Sequence, residues 1–150
     1  MALLGLLAFA IARRCRWGRF RQVSAVLCAG SIAAILSATL FGRIPDDWHS
    51  PVRFRSCDMG GAFIPTDTEA LLNWGLMLPF TLLFVLATHR PILACIAAAA
   101  LSVAIELAQS FFLLGGCQLS DLSSNVIGGI VGALAGSWIT AFRTRRLSSA

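Results

Sequence analysis

Residues 104–125 read AIELAQSFFLLGGCQLSDLSSN. The stretch begins inside one long apolar run, breaks at a short polar loop, and re-enters a second apolar run that continues to Phe142. Glu106 and Gln109 lie inside the first run; Asp121 and Asn125 stand at the head of the second. A charged group at mid-membrane costs about 2.5–3.5 kcal/mol on insertion scales, less near the interface. Such residues are retained when they face protein or a wet cavity, not lipid. The stretch therefore predicts two membrane-crossing helices that turn their polar stripes inward.

The rest of the chain agrees. Of its 150 residues, 57% are hydrophobic and only 13% charged, against about 25% charged in ordinary soluble domains. Three further observations define four spans. Residues 22–42, 70–88 and 122–142 contain no charge, and 91–114 contains only Glu106. Each has about the 20 residues needed to cross roughly 30 Å of hydrocarbon. Backbone groups in lipid must bond within their own segment, so the spans are helices. The expected fold is an all-α integral membrane protein, a bundle of four transmembrane helices plus a short N-terminal apolar segment. As a helix, residues 1–12 would be about 18 Å long. That is too short to span alone, so the segment is expected at the interface, as half of a buried helix, or as part of a helix beginning upstream of Met1. It lacks the basic flank and cleavage site of a secretory signal peptide.

All twelve basic residues are arginine, giving a net charge of +5. They flank apolar spans, which is a topology signal and excludes nucleic-acid binding as the cause of the charge. Residues 1–21 hold the apolar segment and an Arg-rich stretch, 13–21. The first span, 22–42, is followed by a long loop, 43–69, with three arginines against five acids. A core of three spans fills 70–142, and the tail 143–150 carries three more arginines. The positive-inside rule places 13–21 and 143–150 in the cytoplasm and the loops 43–69 and 115–121 outside. Trp17 and Trp138 then fall near the inner interface and Trp48 and Trp74 near the outer, as an aromatic belt would.

The polar residues gather toward the outer side. Glu106 lies roughly 10 Å from the outer end of its span by helical rise. Gln109 and Ser102 share its face. Asp121 and Asn125 share a face of the fourth span, and Gly128, Gly132 and Gly136 continue that stripe. Small residues at this spacing let another helix backbone approach closely. Asn73 stands near the outer end of the second span; Pro79, deeper, frees a backbone carbonyl and bends the helix. Asn73, Glu106, Gln109, Asp121 and Asn125 are the candidate binding residues; Asp121 alone also reads as a helix cap. Gly128, Gly132, Gly136 and Pro79 are the candidate packing residues. Of five cysteines, Cys57 and Cys117 fall in outward loops, where an oxidising compartment permits a disulfide. No metal-ligand spacing is present, and no cofactor is expected.

Three segments resemble the VanZ-like family of small bacterial membrane proteins. They are DTEALLNWGLMLPF (Asp67, Asn73, Pro79), AIELAQ (Glu106, Gln109) and DLSSNVIGGIVG (Asp121, Asn125, Gly128, Gly132). The match covers roughly residues 65–137, and its ordered spacing is more specific than any piece. Two positions depart from the family's pattern. Gly115 or Gly116 stands where relatives often carry an arginine, and Thr81 replaces a glycine after the proline. If that arginine neutralises Glu106 or Asp121 in relatives, this chain is expected either to use Arg53 or Arg55 of the long loop instead or to bind something less anionic. The resemblance implies linkage to low-level tolerance of teicoplanin-type glycopeptides.

Three roles follow from these residues. An envelope protein with an outward polar pocket would bind a lipoglycopeptide or a lipid-linked cell-wall precursor, its carboxamides and carboxylates meeting hydroxyls and amides. A membrane enzyme would use Glu106 and Asp121 as an acid/base pair on a lipid-linked substrate. It lacks an evident nucleophile, and a Ser110/His49/Asp121 triad rests on residue types alone, so the balance favours a non-catalytic role. A structural protein would use the glycine seam to form a homo- or hetero-oligomer. In all three, the bilayer is the first partner.

Overall fold

The computed structural model describes Leu6, Ala10 and residues 18–40, 68–112 and 118–148. Expectations for the N-terminal apolar segment, Trp17, Trp48, His49, Arg53, Arg55, the Cys57–Cys117 disulfide and Gly115–Gly116 lie outside the described residues. Among the described residues, four long helices carry the fold: α1 (Arg19–Thr39), α2 (Thr68–Thr88), α3 (Pro91–Phe112) and α4 (Leu119–Ser148). Each is long and apolar enough to cross a membrane. The chain is thus an all-α, multi-pass membrane protein, as its composition requires.

Helix ends follow local chemistry, with some departures from the hydrophobic limits. The α2–α3 turn uses His89 at φ 60°. Its N–H bonds the Val85 carbonyl at 2.7 Å, a left-handed cap usually given to glycine. Pro91 then opens α3, where its missing N–H costs nothing. So short a turn forces α3 to lie antiparallel to α2. Helix α1 begins at Arg19 rather than at 22, and α4 runs from Leu119 to Ser148 rather than from 122 to 142. Apolarity marks the hydrocarbon depth, whereas backbone hydrogen bonding continues into the interface. At about 45 Å, α4 exceeds the roughly 30 Å core, and Arg145 and Arg146 in its last turn suit the negative end of its dipole.

One end of the bundle is basic. The Arg21 Nε donates to the Ala87 carbonyl at 2.7 Å, and the Arg143 guanidinium lies 3.6 Å over the Phe20 ring. The start of α1 thereby meets the ends of α2 and α4. Higher up, Cys28 Sγ reaches the Phe80 carbonyl at 3.7 Å, keeping α1 and α2 in antiparallel register.

Helix α2 is central, packing on all three others and most extensively on α4. The two run parallel, and glycines make the contact. A methyl group on Gly128 would lie 2.8 Å from Trp74 Cα, and one on Gly136 would lie 2.9 Å from the Leu82 carbonyl oxygen. On Gly132 it would run into the Leu78 carbonyl and the Thr81 hydroxyl. The seam expected to serve an oligomer is therefore filled by α2 of the same chain. A second chain would have to displace α2 to use it.

A second stripe on α4 faces α3. Asn125 meets Ser102, Gly129 lies against Ala98, and Ala133 packs with Ala94 and Val85. The sequence reading placed Asn125 on the glycine stripe, but Asn125 stands three residues before Gly128, a drift of about 60° around a helix. That drift is enough to turn Asn125 toward a different neighbour. The larger apolar core joins Cys28, Ile35, Met77, Phe80, Ala98 and Ile105. Large apolar side chains also point outward, including Ile92, Leu134 and Trp138, as lipid permits and water does not.

Candidate functional site

The end opposite the arginines gathers the polar residues. Four hydrogen bonds define the layer, and each joins two segments. Asn73 Nδ2 on α2 donates to Asp121 Oδ1 on α4 at 3.0 Å. The backbone N–H of Gln118, just ahead of α4, donates to Glu106 Oε2 on α3 at 3.1 Å. Gln109 Nε2 on α3 donates to the Thr39 carbonyl, the last residue of α1, at 2.9 Å. One turn below Glu106, Asn125 Nδ2 donates to Ser102 Oγ at 2.9 Å. All four helices thus contribute to one polar layer.

Local geometry explains the placement. Gln118 supplies the first acceptor of α4, since the Asp121 and Leu122 N–H groups both point to its carbonyl, at 3.2 and 3.3 Å. Asp121 therefore lies inside the first turn rather than at the cap, correcting the cap reading. An acid there is favoured by the positive end of the helix dipole, and its side chain is left to hold Asn73. Ser123 and Ser124 return their hydroxyls to the Ser120 carbonyl at 2.9 and 2.7 Å, a local bond that spares them a cross-helix partner. Glu106, Gln109 and Asn125 are buried, together with Ser102, Ser110 and Ser124. Asp121 and Asn73 are half-buried.

Two polar atoms in or beside this layer have no hydrogen-bond partner among the described residues: Gln109 Oε1 and Trp74 Nε1. Gln109 is only 3% exposed. Its orientation is fixed by the Thr39 carbonyl, which requires the NH₂ side, so the oxygen must face the other way. An unsatisfied buried acceptor costs about 1–3 kcal/mol. A buried indole N–H likewise usually finds an acceptor. Among the described residues, the layer therefore has one acceptor and one donor left over.

Of the sequence-selected residues, Asn73 and Asp121 bond each other, whereas Glu106, Gln109 and Asn125 bond Gln118, Thr39 and Ser102. Glu106 and Asp121, the acid/base couple of the alternative enzyme reading, hold different neighbours in this layer, Gln118 and Asn73. Ser110 is buried; its triad partner His49 is outside the described residues. The layer also uses groups that the sequence did not single out: the Thr39 carbonyl, the Gln118 amide and the Trp74 indole. The first two are backbone groups, which every residue carries, and so leave no sequence signal.

Thr81, the departure after Pro79, also finds a place. It is fully buried, bonds back to the Met77 and Leu78 carbonyls at 3.1 and 3.2 Å, and fills the hollow over Gly132. The missing glycine on α2 is matched by a present one on α4.

Comparison with known proteins gives one relationship. No curated protein matches the chain, and no solved structure does. The family model for VanZ/LLP1 matches residues 30–140, which takes in the end of α1, the polar layer and the glycine seam. With well over half its length matched, this multi-pass membrane protein belongs to the VanZ/LLP1 family.

Proposed function

We propose that the protein is a non-catalytic component of the bacterial cytoplasmic membrane, polar end outward, that holds the head of an amphiphilic or lipid-linked molecule. The arginine-bearing end supports this orientation through the positive-inside rule. The carrying observation is the buried Gln109 oxygen, which has no donor among the described residues. A molecule presenting an amide or hydroxyl hydrogen would satisfy it, and a carbonyl on the same molecule would satisfy the Trp74 indole. Lipoglycopeptides and lipid-linked cell-wall precursors carry both groups beside an apolar tail, which the spans would accompany. Tolerance of teicoplanin-type drugs would follow from such binding.

The test is a titration of the purified protein in nanodiscs with teicoplanin and with a lipid-linked peptidoglycan precursor. At least one is expected to bind. Gln109→Leu and Glu106→Gln are each expected to weaken that binding about tenfold or more, with helical content unchanged. No binding of either probe, or full affinity in Gln109→Leu, would overturn the proposal. Chemical turnover of a probe that Glu106→Gln and Asp121→Asn both abolish would replace it with the enzyme reading.

A further inference from the structure

The outer face of α3 carries a feature that the polar layer does not use. At its arginine end, an open cavity of about 430 Å³ is lined by Arg90, Pro91, Ile92, Leu93 and Ile96. It shares Ile96 with a second cavity of about 540 Å³ farther along the helix. There the small Ala99, Ala100 and Ala104 lie among Ile96, Val103 and Leu107. Together they form a trough along one helix, apolar except at its head. Ile92 is 76% exposed, and Arg90 is exposed too. Its side chain makes no hydrogen bond or ion pair with a described residue. Arg21 and Arg143, by contrast, are engaged with Ala87 and Phe20.

We infer that this trough binds an anionic phospholipid, the phosphate paired with Arg90 and one acyl chain laid along α3. Charge complementarity selects the occupant. An arginine at the membrane surface attracts anionic headgroups, and the apolar lining beyond it matches a hydrocarbon chain. The lengths agree as well. One leaflet is about 15 Å deep, half the hydrocarbon core, which from Arg90 reaches Ala100 at 1.5 Å per residue. A second copy of the chain is a poorer occupant. Two-fold pairing of parallel molecules through this face would set the two Arg90 side chains against each other.

The test uses the full-length protein in nanodiscs of phosphatidylglycerol and phosphatidylethanolamine, equimolar and with identical acyl chains. A trace of either lipid carries a photoactivatable acyl chain. Phosphatidylglycerol is expected to label residues 91–100 about fivefold more than phosphatidylethanolamine, the effect of one arginine at an anionic surface. Arg90→Gln should remove that preference. Ala100→Phe, which fills the trough, should lower labelling by both lipids alike. Arg145→Gln, an exposed control on α4, should leave the preference intact. Equal labelling in the unmodified protein overturns the inference directly, whether or not the variants fold. So does a preference that survives Arg90→Gln, or one that Arg145→Gln erases equally. A dimer by native mass spectrometry that Ala100→Phe converts to monomer would assign the trough to a second copy.

Discussion

Asn125 and Ser102 show how a single polar pair locks two membrane helices. Both are buried, and their 2.9 Å bond joins α4 to α3 below the polar layer. In hydrocarbon the lone alternative for either group is to find another protein partner. Measured cross-helix bonds of this kind average about 0.6 kcal/mol and reach about 1.7. A double-mutant cycle of Asn125→Ala and Ser102→Ala, read by unfolding in mixed micelles, is therefore expected to give a coupling of about 0.6–1.7 kcal/mol. A coupling of zero would mean that the two side chains are held by other neighbours. At this scale, the sequence disclosed which residues are polar at depth and which share a face. Glu106, Gln109 and Ser102 were legible because helical spacing fixes them on one stripe. Their partners were not: a backbone carbonyl such as that of Thr39 has no residue-specific mark. The choice between α2 and α3 for Asn125 turns on about 60° of helical offset from Gly128.

Between elements, the interface that matters most is the parallel contact of α2 with α4. Lipid gives helices no hydrophobic reason to associate, so close packing must supply the attraction. Gly128, Gly132 and Gly136 let the two backbones approach to ordinary contact distance. Adding one methyl at Gly132 would drive it into Leu78 and Thr81; such overpacking typically costs about 1–3 kcal/mol. Gly30 in α1 has nothing within 4 Å of an added Cβ, so Gly30→Ala should be neutral or stabilise by about 0.5–1 kcal/mol through lost chain entropy. Unfolding midpoints of the two variants in one detergent should thus move in opposite senses. Equal tolerance of both would show that the seam is slack. The motif itself was legible, because glycine at every fourth position has few other meanings in a span. Its partner was not, because the facing positions on α2 include Trp74, Leu78, Thr81, Leu82 and Val85, among which Thr81 alone is small and makes no repeating small-residue signature. Parallel neighbours also require a crossing element between them. Here that element is α3, forced antiparallel by the two-residue turn at His89 and Arg90.

Across the whole molecule, polarity runs along the bundle axis as well as from inside to outside. Arg19, Arg21, Arg90, Arg143, Arg145 and Arg146 fall at one end; Asn73, Gln109, Asp121 and the Gln118 turn fall at the other. Around the sides, Ile92, Leu134 and Trp138 face outward while alanine, glycine and serine line much of the interior. This distribution is stable only with lipid around the waist and water at both ends. The start of α1 and the end of α4 lie at the same end of the bundle, where Arg143 stacks on Phe20, so they must share a side. That makes orientation a single binary choice, and the arginines bias it toward the cytoplasm. Single cysteines placed at Ser148 and at Gln118, both exposed, would read the choice in a background lacking the native cysteines. A membrane-impermeant maleimide added to intact spheroplasts should modify Gln118→Cys and spare Ser148→Cys until the membrane is opened. The reverse pattern would put the polar layer in the cytoplasm, beyond reach of any ligand arriving from the wall. It would leave the fold untouched and remove the proposed function, because every contact in the bundle is indifferent to which end faces out.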